Sequence, residues 1–207
     1  PHEWTRRAEQ AFNAYCLGGE TLKNCNYTAF WYVDSHRVIQ SLKLCHYQQD
    51  GKRDRDPQRH IISRNSVSCL YGEHLLNTER YPQNQDKTVV IVESEKTAVL
   101  LSLLLSDCVV LATGGANNFR RALQRECLKG RVVVAIADAD KVNEWRQDIE
   151  HVRPTASLLN DIKTDNSILK HITGKQDIGD GVVSHLQQLA RREQTPLQAI
   201  IAKNPLV

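Results

Sequence analysis

Apolar residues in the middle of the chain fall into short continuous runs, and a segment with helical spacing follows each run. The pairs of run and helix-like segment are residues 89–92 with 95–105, 109–112 with 119–128, and 132–137 with a helix that begins near residue 142. Continuous Val/Ile-rich runs are typical of strands that are buried on both faces. Their alternation with helices predicts a parallel sheet flanked by helices, an α/β fold.

The part of the chain before residue 88 has a different pattern. We expect a helix over residues 5–15, ended by the glycine pair at 18–19, and a β-hairpin built from residues 28–34 and 38–47, which are rich in β-branched and aromatic residues. Residues 71–76 resemble the start of a helix, and 81–87 have the composition of a linker. We therefore predict an N-terminal α+β module over residues 1–87, an α/β domain over 88–181 and a C-terminal helical segment over 182–207.

Composition narrows the possible functions only slightly. The chain has 207 residues, of which 41% are hydrophobic and 25% charged, and its net charge of +3 permits a nucleic-acid partner without arguing for one. No apolar run is long enough to cross a membrane, and the first residues lack the apolar centre of a signal peptide, so we expect a cytoplasmic protein with no membrane partner. The sequence contains no Met, and we therefore expect further residues upstream.

The six cysteines form no C-x-x-C pair, which favours free thiols over a zinc ribbon. A metal site that uses Cys45 with His46, or Cys69 with His74, is the weaker alternative.

Three carboxylates follow the first and third apolar runs. Glu93 comes directly after residues 89–92, and Asp138 and Asp140 come after residues 132–137. Ligands of open α/β sheets bind at the carboxyl ends of the strands, and if the chain stays extended the two aspartates point the same way. Taken singly, each could be a cap, turn or surface residue, but together they predict a site for Mg²⁺ or Mn²⁺. Glu95 fits the first turn of the following helix, where a negative charge is favourable.

Several residues near these carboxylates are candidates for phosphate contact. The segment T-G-G-A-N-N at 113–118 is either a phosphate-binding turn or an ordinary tight turn, and the basic residues after it are either a phosphate contact or a solvated helix face. Lys96 and the polar segment at residues 50–59 carry the same two interpretations. The candidates are Lys96, Gly114, Gly115, Asn117, Arg120 and Arg121.

The motifs V-V-I-V-E-S (89–94), T-G-G (113–115) and A-I-A-D-A-D (135–140) resemble the Toprim domain of DnaG-type primases, topoisomerases, OLD-type nucleases and recombination-repair proteins. The resemblance implies a Rossmann-like parallel sheet. It also implies that Glu93 is a general acid/base and metal ligand, and that Asp138 and Asp140 are the Mg²⁺ pair. Glu95 matches no invariant acid of that domain.

A closer resemblance extends over most of the chain. The segments A-F-W-Y-V-D (29–34), D-G-K-R (50–53), C-L-Y-G-E-H-L-L (69–76), V-E-S-E-K-T-A (92–98), L-A-T-G-G (111–115) and D-I-G-D (177–180) are similar to primase-like Toprim proteins of Bacteroidetes and their mobile elements. Those relatives often carry an upstream zinc ribbon. The resemblance also implies that Lys175, after Gly174, contacts phosphate and that Asp177 and Asp180 are accessory acidic residues.

These resemblances imply a primase-like nucleotidyltransferase that acts on DNA in replication or in the transfer of a mobile element. Its expected partners are a single-stranded DNA template, nucleotides, and a helicase or an upstream zinc-ribbon module. Two alternatives stay open: a Toprim nuclease that cuts DNA or RNA with the same carboxylates, and a catalytically inactive nucleic-acid-binding module. A topoisomerase is disfavoured because no accompanying domain offers a tyrosine nucleophile.

Overall fold

The computed structural model of the protein describes residues 2–22, 25–48, 51–54, 60–62, 69–161 and 178–192. These residues form two four-stranded sheets, one antiparallel and one parallel. The predicted α/β class, with a parallel sheet flanked by helices and a small N-terminal α+β module, is confirmed. In the described part of the chain, no helix is both long and apolar enough to cross a membrane.

The antiparallel sheet is built by the first part of the chain. Its elements are helix α1 (His2–Ala14) and strands β1 (Leu17–Leu22), β2 (Cys25–Val33), β3 (Ile39–Cys45) and β4 (His60–Ile62). The strands lie side by side in chain order, and β2 and β3 form the predicted hairpin. Strand β1 was not predicted, because Gly18 and Gly19 suggest the end of a helix, whereas they pair with β2.

The parallel sheet is built by the second part of the chain. Its elements are β5 (Thr88–Val92), α2 (Glu95–Ser102), β6 (Cys108–Ala112), α3 (Phe119–Leu123), β7 (Val133–Ala135), α4 (Val142–Val152), β8 (Ser157–Leu158) and α5 (Ile178–Arg192). The spatial order is β6-β5-β7-β8. The chain therefore leaves β5 towards β6 on one side and returns to β7 on the other, and such reversals are where open α/β sheets bind ligands.

The apolar strand runs are buried as the pattern predicts. Ile91 and Val92 in β5, and Val110 and Leu111 in β6, have no exposed surface. Neighbouring strand residues point to opposite faces, so their joint burial means that both faces of the sheet are covered. Helix α2 packs on β5, β6 and α5, while α4 packs on α3 and β8.

One hydrophobic core extends across position 88. The aromatic rings of Tyr15 and Tyr71 stack with centroids 5.7 Å apart, and the Tyr15 hydroxyl donates to the carbonyl of Val110 in β6. Tyr71 also pairs with Ala112, since the amide of each donates to the carbonyl of the other. The segment before residue 88 is thus attached to the edge strand β6, and the division of the chain into three domains stays a prediction.

Some predicted helices are shorter than expected. Residues Glu73–Leu76 form a single 3-10 turn, and the stretch predicted as one helix over 119–128 is α3 followed by a 3-10 turn at Glu126–Leu128. Residues Pro82–Asn84 of the predicted linker also form a 3-10 turn, in which Asn84 is buried. The six cysteines all lie in described segments, and none of them forms a disulfide.

Candidate active site

Glu93 stands at the carboxyl end of the central strand β5. Strand pairing ends at Val92, and Ser94 then caps α2, because its side chain accepts a hydrogen bond from the amide of Thr97 at 3.2 Å. Helix α2 therefore begins two residues after Glu93. This tight strand-to-helix connection leaves Glu93 at the edge of the sheet, half-buried.

Asp138 stands at the end of the neighbouring strand. After β7, the amide of Ile136 still donates to the carbonyl of Ile91 at 2.9 Å, which keeps the chain beside β5. The chain then turns, and the amide of Lys141 donates to the carbonyl of Asp138 at 2.9 Å. The condition under which Asp138 and Asp140 would point the same way, an extended chain through both, is therefore not met, because a turn replaces the strand at this point.

The turn gives the two aspartates different surroundings. Asp138 is half-buried, whereas Asp140 is exposed. The hydrogen bond and charge of Glu144 raise the pKa of half-buried Lys141, and the charges of Asp140 and Glu93 add to this effect. Asp140 and Glu93 are thus both close enough to influence one cation.

A cavity of about 650 Å³ opens at these strand ends. It is lined by the carboxylates of Asp54, Glu93, Asp138 and Asp180, by the cations Lys52, Arg53 and Lys96, and by Tyr47, Gln48 and Ser94. Carboxylates and cations in one cavity could hold a cation and an anionic ligand together. The described part of the wall includes Glu93, Asp138, Asp180 and Lys96 from the sequence predictions, and it does not include Asp140.

The carboxylates of the cavity offer the kind of oxygen donors that Mg²⁺ binds, and the metal itself stays a prediction. In the described segments, no three His, Cys, Asp or Glu side chains are arranged so that they could hold a metal ion by themselves. Mg²⁺ commonly binds through one or two carboxylates, with water and substrate phosphates as its other ligands. Glu93, Asp138 and Asp180 offer oxygen ligands of that type around one cavity.

Asp138 also attaches the C-terminal helix to the site. Its Oδ1 atom accepts a hydrogen bond from the amide of Ile178 at 3.1 Å, which satisfies a free amide at the start of α5. This contact brings Asp180, in the first turn of α5, to the cavity wall. The predictions for Lys175 and Asp177 lie outside the described residues.

Lys96 contacts the backbone of Gly51 and the ring of Tyr47 beside the cavity. Its Nζ atom donates to the carbonyl of Gly51 at 2.9 Å and lies 5.6 Å from the centroid of the Tyr47 ring. Lys96 is therefore half-buried and oriented by the chain itself. Its contact with phosphate stays a prediction.

The Gly-rich turn packs beside the end of β5. The amide of Gly114 donates to the carbonyl of Glu93 at 3.0 Å, and its backbone has φ of +76°, in the left-handed region that favours glycine. A Cβ atom at Gly114 would clash with the hydroxyl of Tyr32 and lie 3.3 Å from Oε1 of Glu95. Gly114 therefore has no room for a side chain. Gly115 and the exposed Asn117 are not among the described residues that line the cavity.

The basic residues after this turn lie elsewhere on the surface. Arg120 pairs with Asp148 at 3.2 Å, and both Arg120 and Arg121 are exposed and do not line the cavity. Arg125 binds the buried carboxylate of Glu73 through two hydrogen bonds of 3.0 and 2.7 Å. The cations of the cavity instead come from residues 52 and 53, in the D-G-K-R segment, and from α2.

A buried polar cluster behind the cavity was not predicted from the sequence. Glu95 is fully buried, and its Oε1 atom accepts hydrogen bonds from Nζ of Lys43, at 2.7 Å, and from the hydroxyl of Tyr32. Lys43 also donates to the carbonyl of Gly114 at 3.2 Å. The sequence does contain one indication of this cluster: Lys43 lies between Leu42 and Leu44 in β3, so a charged residue interrupts an apolar stretch.

The cluster keeps Glu95 ionised. Burial alone would raise the pKa of its carboxyl, but the charge of Lys43 and the hydrogen bonds from Lys43 and Tyr32 outweigh this effect and lower the pKa. Burial and the Glu95 charge raise the pKa of Tyr32, so its hydroxyl stays protonated and donates. Glu95 does begin α2 as predicted, but its charge is also neutralised by a partner in the other sheet.

Comparisons with solved structures define the class of fold. The chain is similar to the crystal structure of the primase fragment of the bacteriophage T7 primase-helicase protein, with a TM-score of 0.52 and 17% identity, over 72% of this chain and 59% of that one. It is also similar to a chain in the structure of the T7 lagging-strand DNA polymerase interacting with primase domains of two gp4 subunits bound to an RNA/DNA hybrid and dTTP. There the TM-score is 0.53 and the identity 16%, over 84% of this chain and 85% of that one. The fold is therefore primase-like.

The family is shown by the sequence itself. A family model described as "Domain of unknown function (DUF6371)" matches residues 2–139, and the chain belongs to that family. No curated protein matches the chain.

Proposed function

We propose that this chain is a primase-like Toprim protein that carries out Mg²⁺- or Mn²⁺-dependent nucleotidyl transfer on DNA, in replication or in the transfer of a mobile element. The observation that supports this best is the cavity in which Glu93, Asp138 and Asp180 face the same space as Lys52, Arg53 and Lys96. It opens where ligands of α/β sheets bind, in a fold similar to those of the T7 primase structures. A single-stranded template and nucleotides are the proposed partners, with a helicase or an upstream zinc-ribbon module to deliver the template.

Each group of the cavity has a role in this chemistry. In nucleotidyl transfer, the oxygen of a 3′ hydroxyl bonds to the α-phosphorus of a nucleotide, and the bond from that phosphorus to pyrophosphate breaks. Glu93 would accept the proton that leaves the hydroxyl. Glu93 and Asp138 would hold the divalent cation together with phosphate oxygens and water, and Asp140 and Asp180 would add negative charge nearby. The cation would neutralise charge on the phosphates when bound.

The cations of the wall would bind the nucleotide. Lys96 is held in place by Gly51 and Tyr47, so it is already ordered before a ligand arrives. Ordered cations stabilise developing phosphate charge without reorganising during the reaction. The Gly114–Gly115 turn, Asn117, Arg120, Arg121 and Lys175 would contact phosphates further along the nucleic acid.

The test is an assay of both products in parallel. The protein is incubated with single-stranded template, nucleotides and Mg²⁺ or Mn²⁺, and separately with labelled DNA and RNA. Wild type is compared with Glu93→Gln and Asp138→Asn, and with the matched controls Glu126→Gln and Asp107→Asn, which change exposed carboxylates outside the cavity. We expect primer products from wild type and both controls, and a loss of at least about 100-fold in the two cavity variants.

The other outcomes decide between functions. Cleaved DNA or RNA without primers, again lost in the cavity variants, would instead identify a nuclease in which water is the nucleophile. Binding of nucleic acid with neither product would identify an inactive binding module. Equal activity in all five proteins would contradict the assignment of Glu93 and Asp138.

A further inference from the structure

The buried carboxylate of Glu95 has one oxygen that its partners leave unused. Oε1 is bound by Lys43 and Tyr32, whereas Oε2 is buried and accepts no hydrogen bond from any described residue. Buried carboxylate oxygens without a partner are costly and rare. The cation that faces this oxygen is Arg53, whose Nη2 atom lies 4.0 Å away.

Arg53 connects this buried oxygen to the cavity. Its side chain is 39% exposed and lines the cavity beside Lys52. Its backbone is held by Tyr47, which pairs with it across an isolated β-bridge. The guanidinium therefore lies between a buried anion on one side and open space on the other.

Glu95, Lys43 and Arg53 together carry one net positive charge. Glu95 carries one negative charge, and Lys43, 2.7 Å away, already balances it. The positive charge of Arg53 is thus held near Glu95 without being neutralised by it. An oriented guanidinium that is not closed on a carboxylate suits phosphate, because its planar fork matches two phosphate oxygens.

A second buried Glu–Arg pair shows what a purely structural contact looks like in this protein. Arg125 closes on Glu73 with two hydrogen bonds, of 3.0 and 2.7 Å, so both donors of its fork are used. Arg53 makes no such closed pair with Glu95, since the distance is 4.0 Å. The contrast indicates that Glu95 orients Arg53 without consuming its donors.

We propose that Glu95 is a positioning residue that aims Arg53 at the phosphate groups of a ligand in the cavity, where Arg53 and Lys52 bind phosphate oxygens. This inference deepens the proposed function and depends on it for the use of the site. The phosphates could belong to a nucleoside triphosphate or to a nucleic-acid backbone. The two sources share the same recognition chemistry and are separated by the experiment below.

The test measures equilibrium binding, so that it does not depend on turnover. ATP with Mg²⁺ and a single-stranded oligodeoxynucleotide are titrated separately into wild type, Arg53→Ala, Glu95→Gln and the double variant. We expect Arg53→Ala to weaken binding by about 10- to 100-fold, as for loss of a charge-assisted hydrogen bond. Glu95→Gln should weaken it less, and the double variant should bind no more weakly than Arg53→Ala, because Glu95 acts through Arg53.

Two controls separate positioning from loss of fold. Glu73→Gln changes another fully buried glutamate, and we expect it to lower the melting temperature without changing ligand affinity. Arg53→Lys keeps the charge and leaves Glu95 intact but removes the fork, and we expect an affinity between those of wild type and Arg53→Ala. In turnover, Arg53→Lys should raise KM for the nucleotide more than it lowers kcat. The two Arg53 variants test the phosphate-binding role of Arg53 even if Glu95→Gln does not fold.

The results distinguish this inference from the proposed function. A loss in the ATP titration alone assigns the site to a triphosphate, and a loss in the oligonucleotide titration alone assigns it to the backbone. Additive losses for Glu95→Gln and Arg53→Ala, or unchanged binding of both ligands in Arg53→Ala, would overturn the inference even if Glu93→Gln abolishes primer synthesis. Conversely, an active Glu93→Gln together with weak binding by Arg53→Ala would overturn the function and leave the inference standing.

Discussion

The Nζ atom of Lys43 lies 2.7 Å from Oε1 of Glu95, and both side chains are almost entirely shielded from solvent. Lys43 belongs to β3 of the antiparallel sheet, while Glu95 begins helix α2 beside the parallel sheet. The pair thus joins the two sheets two residues away from Glu93. The pair therefore lies at the start of the helix that supplies Lys96 to the cavity wall.

Loss of one partner of this pair should destabilise the fold. Lys43→Met would leave the Glu95 carboxylate buried without its cation, and we expect the free energy of unfolding to fall by about 3–5 kcal/mol. Denaturant titration measures it. Lys129→Met is the control, because Lys129 pairs with Glu126 at 2.6 Å on the exposed surface, where loss should cost about 0–1 kcal/mol. Equal effects of the two changes would contradict the role of the buried pair.

Stability should depend on pH through Glu95. Its folded-state pKa is lowered from the ordinary value of 4.5, so its contribution is complete above pH 4.5 and is lost as pH falls through the lower folded value. The difference in free energy of unfolding between wild type and Glu95→Gln should therefore be constant near neutral pH and shrink below pH 4.5. Denaturant titrations between neutral and acidic pH test this, and a difference that grows on acidification would contradict it.

Gly114 should tolerate alanine less well than another glycine of the same conformation. Both Gly114 and Gly130 have positive φ, at +76° and +73°, so alanine strains both backbones by about 1–2 kcal/mol. Only at Gly114 would the new Cβ also meet Tyr32 and Glu95, whereas at Gly130 no heavy atom lies within 4 Å. We expect Gly114→Ala to lower the free energy of unfolding by about 1–3 kcal/mol more than Gly130→Ala does. Equal losses would show that the turn does not pack against the buried cluster.

Asp138 should have two separable functions. Asp138→Asn keeps the oxygen that accepts from the amide of Ile178, whereas Asp138→Ala removes it. We expect both variants to lose activity, but only Asp138→Ala to loosen the start of α5, at a cost of about 1 kcal/mol. Hydrogen exchange of the amides at residues 178–181 measures this, and equal protection in the two variants would rule out the contact.

The sequence predicts those parts of the fold that are decided by local pattern. The run at residues 89–92 is continuous and β-branched, and it forms the buried central strand β5. The hairpin of β2 and β3 is likewise marked by its own residues. Strand β1 is missed because Gly18 and Gly19 carry no strand signal, and their pairing partners in β2 decide their conformation.

The sequence predicts the site residues that follow strand ends, but it does not predict contacts between residues that are far apart in the chain. Glu93 and Asp138 follow neighbouring parallel strands and do line one cavity. The partnership of Glu95 with Lys43 joins residues 52 positions apart, and no spacing rule connects them. The turn after Asp138 also could not be derived from alternation, since alternation holds only while the chain remains extended.

The central claim is that Glu93 and Asp138 form a divalent-cation site. The most direct test is a titration of Mn²⁺ in the presence of nucleotide, in which binding is measured as the loss of the paramagnetic resonance signal of the free ion. We expect wild type and Asp107→Asn to bind Mn²⁺ with the same affinity, and Glu93→Gln and Asp138→Asn to bind at least about 10-fold more weakly. Equal Mn²⁺ affinity in all four proteins would contradict the claim.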